Sequence, residues 1–495
     1  MSTATSAPAP PESTEPRGRT AFVRRFVQGD LASLRVLIGL AVIWAIFQSQ
    51  NDRFLTAINL TNLMLQITAV GLISVGVVYV LLLGEIDLSV GAVSGLAAAC
   101  MAVLNTKHGW NPYLAIAAGV LVGTAIGAVQ GSLSTGFGIP SFVVTLAGLL
   151  IWQGALLYVL GDTGTININD SKITGLANTF YSGTTAWLIA AVVIGAYAAS
   201  ALWGWRERVQ AGLADSDLIG PVVRIVVVAA AIIGAVAVLD SDRGIPLAVL
   251  ILLGFVAGMQ YVATRTRFGR HVFAVGGNAE AARRAGISLH RIRIAVFAIS
   301  GTMAAIGGIM QASRLLAVNQ GSGGNDLLLL AIAGPVIAGT SLFGGRGTVW
   351  SALLGALVIG SISNGMDLLS LESSVKFMVT GAVLLIAVSV DAVSRRGRFL
   401  TELLATPQGR HKNRREHPIA KVPPRPKGRR NAQDNPEGRR RARRAGGSRR
   451  RIGGGVRCRV VELQQLGNQR LDQQPGEHDS PRSPQRSGRR LARPR

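Results

Sequence analysis

Long uncharged apolar runs separated by short polar interruptions recur along most of the chain. They cover 36–47, 60–83, 88–104, 112–132, 139–160 and 184–203, then 222–239, 245–263, 292–312, 327–343, 347–363 and 374–390. A helix needs about 20 mostly apolar residues to cross a hydrocarbon core about 30 Å thick. The pattern therefore predicts an all-α polytopic transmembrane bundle of about twelve spans, ten at the fewest. The run 88–104 is short enough to be a broken or re-entrant segment. Gly119, Gly123, Gly127 and Gly131 repeat every fourth residue and form one stripe of a helix, a seam along which two backbones can approach closely.

Composition agrees with a lipid-embedded chain. Of 495 residues only 16% are charged and 60 are Gly, with a mean hydropathy of +0.37; soluble domains carry about 25% charged residues. The net charge of +25 invites a nucleic-acid reading until it is located. Residues 395–495 hold 29 Lys and Arg against 8 Asp and Glu, whereas the first 394 are close to balance. Three regions follow: a disordered N-terminal segment 1–33, a membrane domain 34–394, and a basic low-complexity tail 395–495 expected to be disordered. The tail reads as an attraction for anionic lipid or RNA, or as a segment without a selected role, even one from a shifted reading frame; no nucleic-acid function is assigned to the chain. Cys100 and Cys458 lie one in each part, which supports neither a disulfide framework nor a thiolate metal site, and no cleavable signal peptide is evident. With both termini inside, Lys and Arg outside the tail fall mainly in the inner loops, as cytoplasmic loops require.

The chain carries no Walker loop, no His-Glu-x-x-His and no Gly-x-Ser-x-Gly. It is expected to be no enzyme and to hold no cofactor, so any ATP and Mg²⁺ that drive it belong to a partner subunit. Ionisable groups crowd at the ends of the spans, which argues against a proton-driven carrier with acids at mid-membrane. Glu85 and Asp87 lie in Gly84-Glu85-Ile86-Asp87-Leu88-Ser89-Val90-Gly91. They read either as an interfacial loop whose Asp87 caps the next helix or as a gate or subunit contact.

The longest polar interruption, 265–290, contains a helical segment of about two turns. Asn278 caps it, Glu280, Ala281, Ala282 and Arg283 favour helix, and Gly286 supplies a left-handed stop. It is either a solvated connector or a docking element for a cytoplasmic partner. Gln66, Gln130, Trp152, Gln153 and Asn364 are polar residues inside apolar runs: interhelical hydrogen bonds or the lining of a hydrophilic path.

Four blocks in order resemble the membrane permeases of bacterial ABC importers for pentoses and related sugars. They are the 84–91 block, Pro140-Ser141-Phe142-Val143-Val144-Thr145-Leu146-Ala147-Gly148, the stretch from Ala263 through Gly276-Gly277-Asn278-Ala279-Glu280 to Arg283, and Ala338-Gly339-Thr340-Ser341-Leu342-Phe343-Gly344-Gly345. The likeness spans about residues 34–398 and is closest to the xylose branch; shorter ribose relatives lack the segment around 184–240. It implies an inner-membrane homodimer that binds two cytoplasmic ATPase subunits and receives sugar from a periplasmic or lipid-anchored binding protein. Xylose is the first candidate, with ribose, galactose or a proton-coupled sugar carrier as alternatives. By position, the helix at Asn278–Gly286 resembles the coupling helix that enters the ATPase, and Glu85 and Asp87 match an acidic motif of the family. Two departures stand out: Leu327-Leu328-Leu329-Leu330 where acids are expected, and Pro335 inside a span.

Overall fold

The structure is a computed structural model that describes residues 31–212, 218–383, 385 and 389. The expected basic tail 395–495 and nearly all of the N-terminal segment lie outside the described residues. The first helix, α1 (Leu31–Gln50), begins three residues inside that N-terminal segment.

Helices dominate, as the apolar runs predict: α2 (Ala57–Leu82), α3 (Val90–Thr106), α4 (Pro112–Phe137), α5 (Ser141–Leu160), α6 (Ser171–Asn178), α7 (Thr184–Gln210) and α8 (Ile219–Asp240). After them come α9 (Leu247–Arg265), α10 (Arg267–Gly277), α11 (Ala279–Arg284), α12 (Leu289–Leu315), α13 (Asn325–Ile337) and α14 (Trp350–Leu368). Residues 373–383 are helical as well, and the remainder of the run 374–390 is largely outside the described residues. Among the described residues eight helices are long and apolar enough to cross a membrane, and three shorter apolar ones accompany them. With its 17 residues, α3 reaches only about 26 Å and falls just short of a full span. Two short antiparallel pairs join the helices: β1 (Thr165–Asn167) with β4 (Ala317–Asn319), and β2 (Phe180–Tyr181) with β3 (Ile245–Pro246).

Helix α2 lies at the centre, surrounded by α12, α13, α14 and α9, and most of its side chains are buried. The glycine stripe of α4 faces α12. A Cβ at Gly127 would land on the Phe297 carbonyl oxygen, and one at Gly123 would stand 2.5 Å from that of Gly301. Gly301 in turn meets the Gly123 carbonyl, so the two backbones touch directly and any side chain would part them.

Two runs end differently from their pattern. The run 327–343 predicts a helix through Phe343, yet α13 stops at Ile337. Pro335 has no N–H to donate, its carbonyl accepts from the Thr340 amide, and Gly339 at φ 98° turns the chain back. The next run starts as helix only at Trp350, after a turn in which Ser341 N–H donates to the Arg346 carbonyl. The polar stretch 265–290 holds a second helix besides the expected one: α10 buries Gly269, Val272 and Val275 and presents its charges outward.

Candidate functional site

The four sequence blocks, far apart along the chain, meet at one end of the bundle. Leu82, the last residue of α2, accepts a hydrogen bond at its carbonyl from Gly345 N–H, and the Cα of Gly276 packs against the same carbonyl so closely that a Cβ would overlap it. Gly84, at φ 76°, leaves only 3.2 Å between its Cβ position and the Phe343 carbonyl oxygen. Gly344, at φ 82°, lies against both Gly84 and Gly276. The acidic loop, the turn 338–349 and the segment that leads into α11 therefore form one backbone junction with no side chain between its layers.

The fourth block joins through Glu85. Ser141, the first residue of α5, donates its hydroxyl to Glu85 Oε2, and Arg293 of α12 pairs with Glu85 Oε1 at 2.9 Å. Thr145, one turn further along α5, donates weakly to the Ile86 carbonyl at 3.4 Å. The Glu85 side chain retains 17% of its exposure and that of Arg293 33%, so water weakens this pair only in part.

Asp87 lies deeper than Glu85. It is only 4% exposed and accepts at Oδ1 from the Ser89 amide (3.0 Å) and hydroxyl (2.7 Å), and at Oδ2 from the Ser300 hydroxyl (2.9 Å). Ser300 follows Arg293 by seven residues on α12, about 10 Å along the axis, so Asp87 reaches well into the bundle. The residue that opens α3 as N-cap is Ser89, and Asp87 serves that end by holding the Ser89 amide. The Ser89 hydroxyl oxygen also lies 3.0 Å from the Gln130 side-chain amide, a contact between the acidic loop and the glycine seam of α4.

The short helix forms as the sequence predicts, though with six residues it is nearer one and a half turns. Asn278 Oδ1 accepts from Ala281 N–H at 2.9 Å, and Gly286 at φ 82° closes the far end by donating to the Arg283 carbonyl. Within the helix only Ala282 is buried; Glu280 bonds to Arg283 and Arg284 at 3.0–3.1 Å on the open side. The helix is exposed and joins through Asn278 to the Gly276–Gly277 junction, which packs against Leu82 and Gly344–Gly345.

The polar candidates divide. Asn364 and Gln66 come together, with Asn364 Nδ2 3.4 Å from Gln66 Oε1, and Asn59, missed by the sequence reading, donates to Asn364 Oδ1 at 2.7 Å. Trp152 and Gln153 lie elsewhere: Gln153 donates to the Gln320 carbonyl at 3.1 Å, and the Trp152 Nε1 and Gln130 Nε2 donors both face Gly148. His271 lies in α10 and His290 in α12, and among the described residues no His, Cys, Asp and Glu cluster has the make-up of a metal site.

Residues 59–388 match the family model described as the permease component of a branched-chain amino acid transport system. The chain belongs to this family of transport permeases. It is 37% identical over 371 residues to the xylose transport system permease protein XylH of Escherichia coli, covering 74% of this chain and 93% of the relative. XylH of Haemophilus influenzae is 35% identical over 367 residues (73% and 96%), and the ribose import permease protein RbsC of Escherichia coli 30% identical over 371 residues (74% and 96%). No solved structure matches the chain significantly. Together with the apolar helices, this makes the protein a multi-pass membrane permease, a transport protein and not an enzyme.

Proposed function

We propose that the chain is the membrane subunit of an ATP-driven sugar importer, with xylose as the sugar, located in the inner membrane with both termini in the cytoplasm. The observation that carries this reading is the backbone junction under α11. A cytoplasmic ATPase gripping α11 moves Gly276 and Gly277, and these bear directly on Leu82, Gly84 and Gly344. Two copies of the chain pair in the membrane, ATP binding in the partner rearranges both α11 helices, and the bundles rock between outward and inward openings with the sugar passing between them. The sugar's affinity resides mainly in an external binding protein, because a permease that held it tightly would release it slowly. The likeness to two xylose permeases at 35–37% identity, above that to the ribose relative, supports the choice of sugar.

A proton-coupled carrier is the second reading, and the buried Asp87 is the observation in its favour, since an acid at that depth is where such carriers move protons. Uptake of labelled xylose, ribose and galactose into proteoliposomes separates the two. Accumulation of xylose that needs ATP, the ATPase and the binding protein, and that survives an uncoupler, is the expected result. Accumulation by this chain alone under a proton gradient contradicts it.

A further inference from the structure

At the end of the bundle away from α11, a polar cleft opens between α2, α12 and α14. The part at the helix ends, about 370 Å³, is lined by Asn59, Asn62, Gln66, Arg314, Asn364 and Asp367, with Leu368 as the one apolar wall. A second cavity of about 410 Å³ shares Gln66, Arg314 and Asp367 with it and continues along the loop 319–324 toward Ser363. The part at the helix ends alone equals the liquid volume of about a dozen waters, ample for a monosaccharide. Its depth follows from the helices. Arg314 is in the last turn of α12, whose 27 residues run about 40 Å from the α11 end, and Asn59 starts α2, whose other end is Leu82.

The lining is fixed before any solute arrives. Asn59 Nδ2 bonds to both the Phe54 carbonyl (2.8 Å) and Asn364 Oδ1 (2.7 Å), and these two residues are 7% and 3% exposed. Arg243 holds the Asn62 amide oxygen at 2.7 Å. The loop wall is rigid because Gly323, at φ 73°, lies against the backbone of Gly91 and Gly95 in α3. Four side-chain amides, a guanidinium and a carboxylate offer both donors and acceptors on a small surface, and a sugar hydroxyl uses one of each. The charges are spoken for in part: Asp367 pairs with Lys376 across the rim. An amino acid would bring its ammonium to a carboxylate that already has a partner, and the apolar residues Ile67, Val70, Leu327, Leu330 and Ile359 line only the adjoining cavity.

Resting on the sugar-importer reading, we infer that this cleft is a monosaccharide-binding subsite complete within one chain, where Gln66, Asn364 and Arg314 take the hydroxyls of a neutral sugar as it leaves the binding protein.

The test uses the full chain with its ATPase and binding protein in proteoliposomes, carrying Cys100→Ser and Cys458→Ser so that one introduced thiol is read at a time. Ser363→Cys places that thiol on the cleft wall without removing a sugar-binding group, and Tyr158→Cys, 88% exposed on α5, is the control. Xylose at about four times its Kd for the cleft is expected to slow modification of Ser363→Cys by a charged, water-soluble thiol reagent about fivefold, because only the unoccupied fraction reacts, while leucine leaves the rate unchanged and Tyr158→Cys responds to neither. Asn364→Leu, which also lowers uptake, is expected to abolish the protection. No reaction at Ser363→Cys, equal rates with and without xylose, or protection by leucine would each overturn the subsite, even where unaltered complexes accumulate xylose. A complex that accumulates no sugar fails as an importer, and the subsite fails with it through that separate measurement.

Discussion

The centre of the bundle and the α7–α8 hairpin are equally apolar, yet they are built in opposite ways. In the most apolar window of α2, 89% of residues are buried inside the protein, and in α12 61%, against 11% in both α7 and α8. The difference lies in the glycines. Those of α4 and α12 stand against a neighbouring backbone, as at Gly127 and Gly301, whereas Gly195, Gly204, Gly220 and Gly234 of the hairpin have no atom within 4 Å of a Cβ position. Apolarity puts a helix in the membrane; only small residues set in register bind it to another helix. The hairpin turns its exposed Trp187, Leu188, Val192 and Val226 outward, as lipid-facing surfaces do.

Substitutions of the same kind in both regions give opposite results if this contrast is right. Gly127→Val forces a branched side chain onto the Phe297 carbonyl and is expected to cost about 3 kcal/mol or more, read as loss of folded protein in detergent thermal unfolding. Asp87→Ala leaves the Ser89 amide and the Ser300 hydroxyl without their acceptor inside the bundle, at about 2–3 kcal/mol by the same measurement. Arg293→Ala, at a half-buried pair, costs about 1 kcal/mol, because Glu85 keeps the Ser141 hydroxyl and some water. Gly195→Ala in α7 is expected to raise stability by up to about 1 kcal/mol, since it meets nothing and favours helix. Destabilisation by Gly195→Ala equal to that by Gly127→Val would break the comparison. Smallest of all, deletion of residues 399–495 should leave sugar uptake unchanged.

Much of this was legible in the sequence where a local pattern carried it. The four-residue glycine repeat gives the seam on α4, with α12 as its partner supplied by the fold, and Asn278 and Gly286 bracket α11 as its caps. Other features had a signal that was overlooked. Asn59, Asn62 and Gln66 are spaced at three and four residues, one face of α2, as Asn364 and Asp367 are on α14, and the charges of α10 hid the buried stripe of Gly269, Val272 and Val275. The rest had no local signal at all. Arg293 and Glu85 are more than two hundred residues apart, and only the fold tells which base meets which acid. The early stop of α13 depends on Gly339 and the Arg346 carbonyl acting together, which periodicity in an apolar run cannot register.

In the proposed importer α11 transmits the ATPase stroke through the Gly276–Leu82 junction. Sugar taken up per ATP hydrolysed, measured in proteoliposomes for the unaltered complex, Glu280→Lys and Ala282→Pro, tests it most directly. Glu280→Lys removes the ion pairs to Arg283 and Arg284, and Ala282→Pro breaks the helix at its one buried residue. Both variants are expected to insert into the membrane and to let ATP hydrolysis continue while uptake per ATP collapses; uptake per ATP equal to that of the unaltered complex in both would contradict the account.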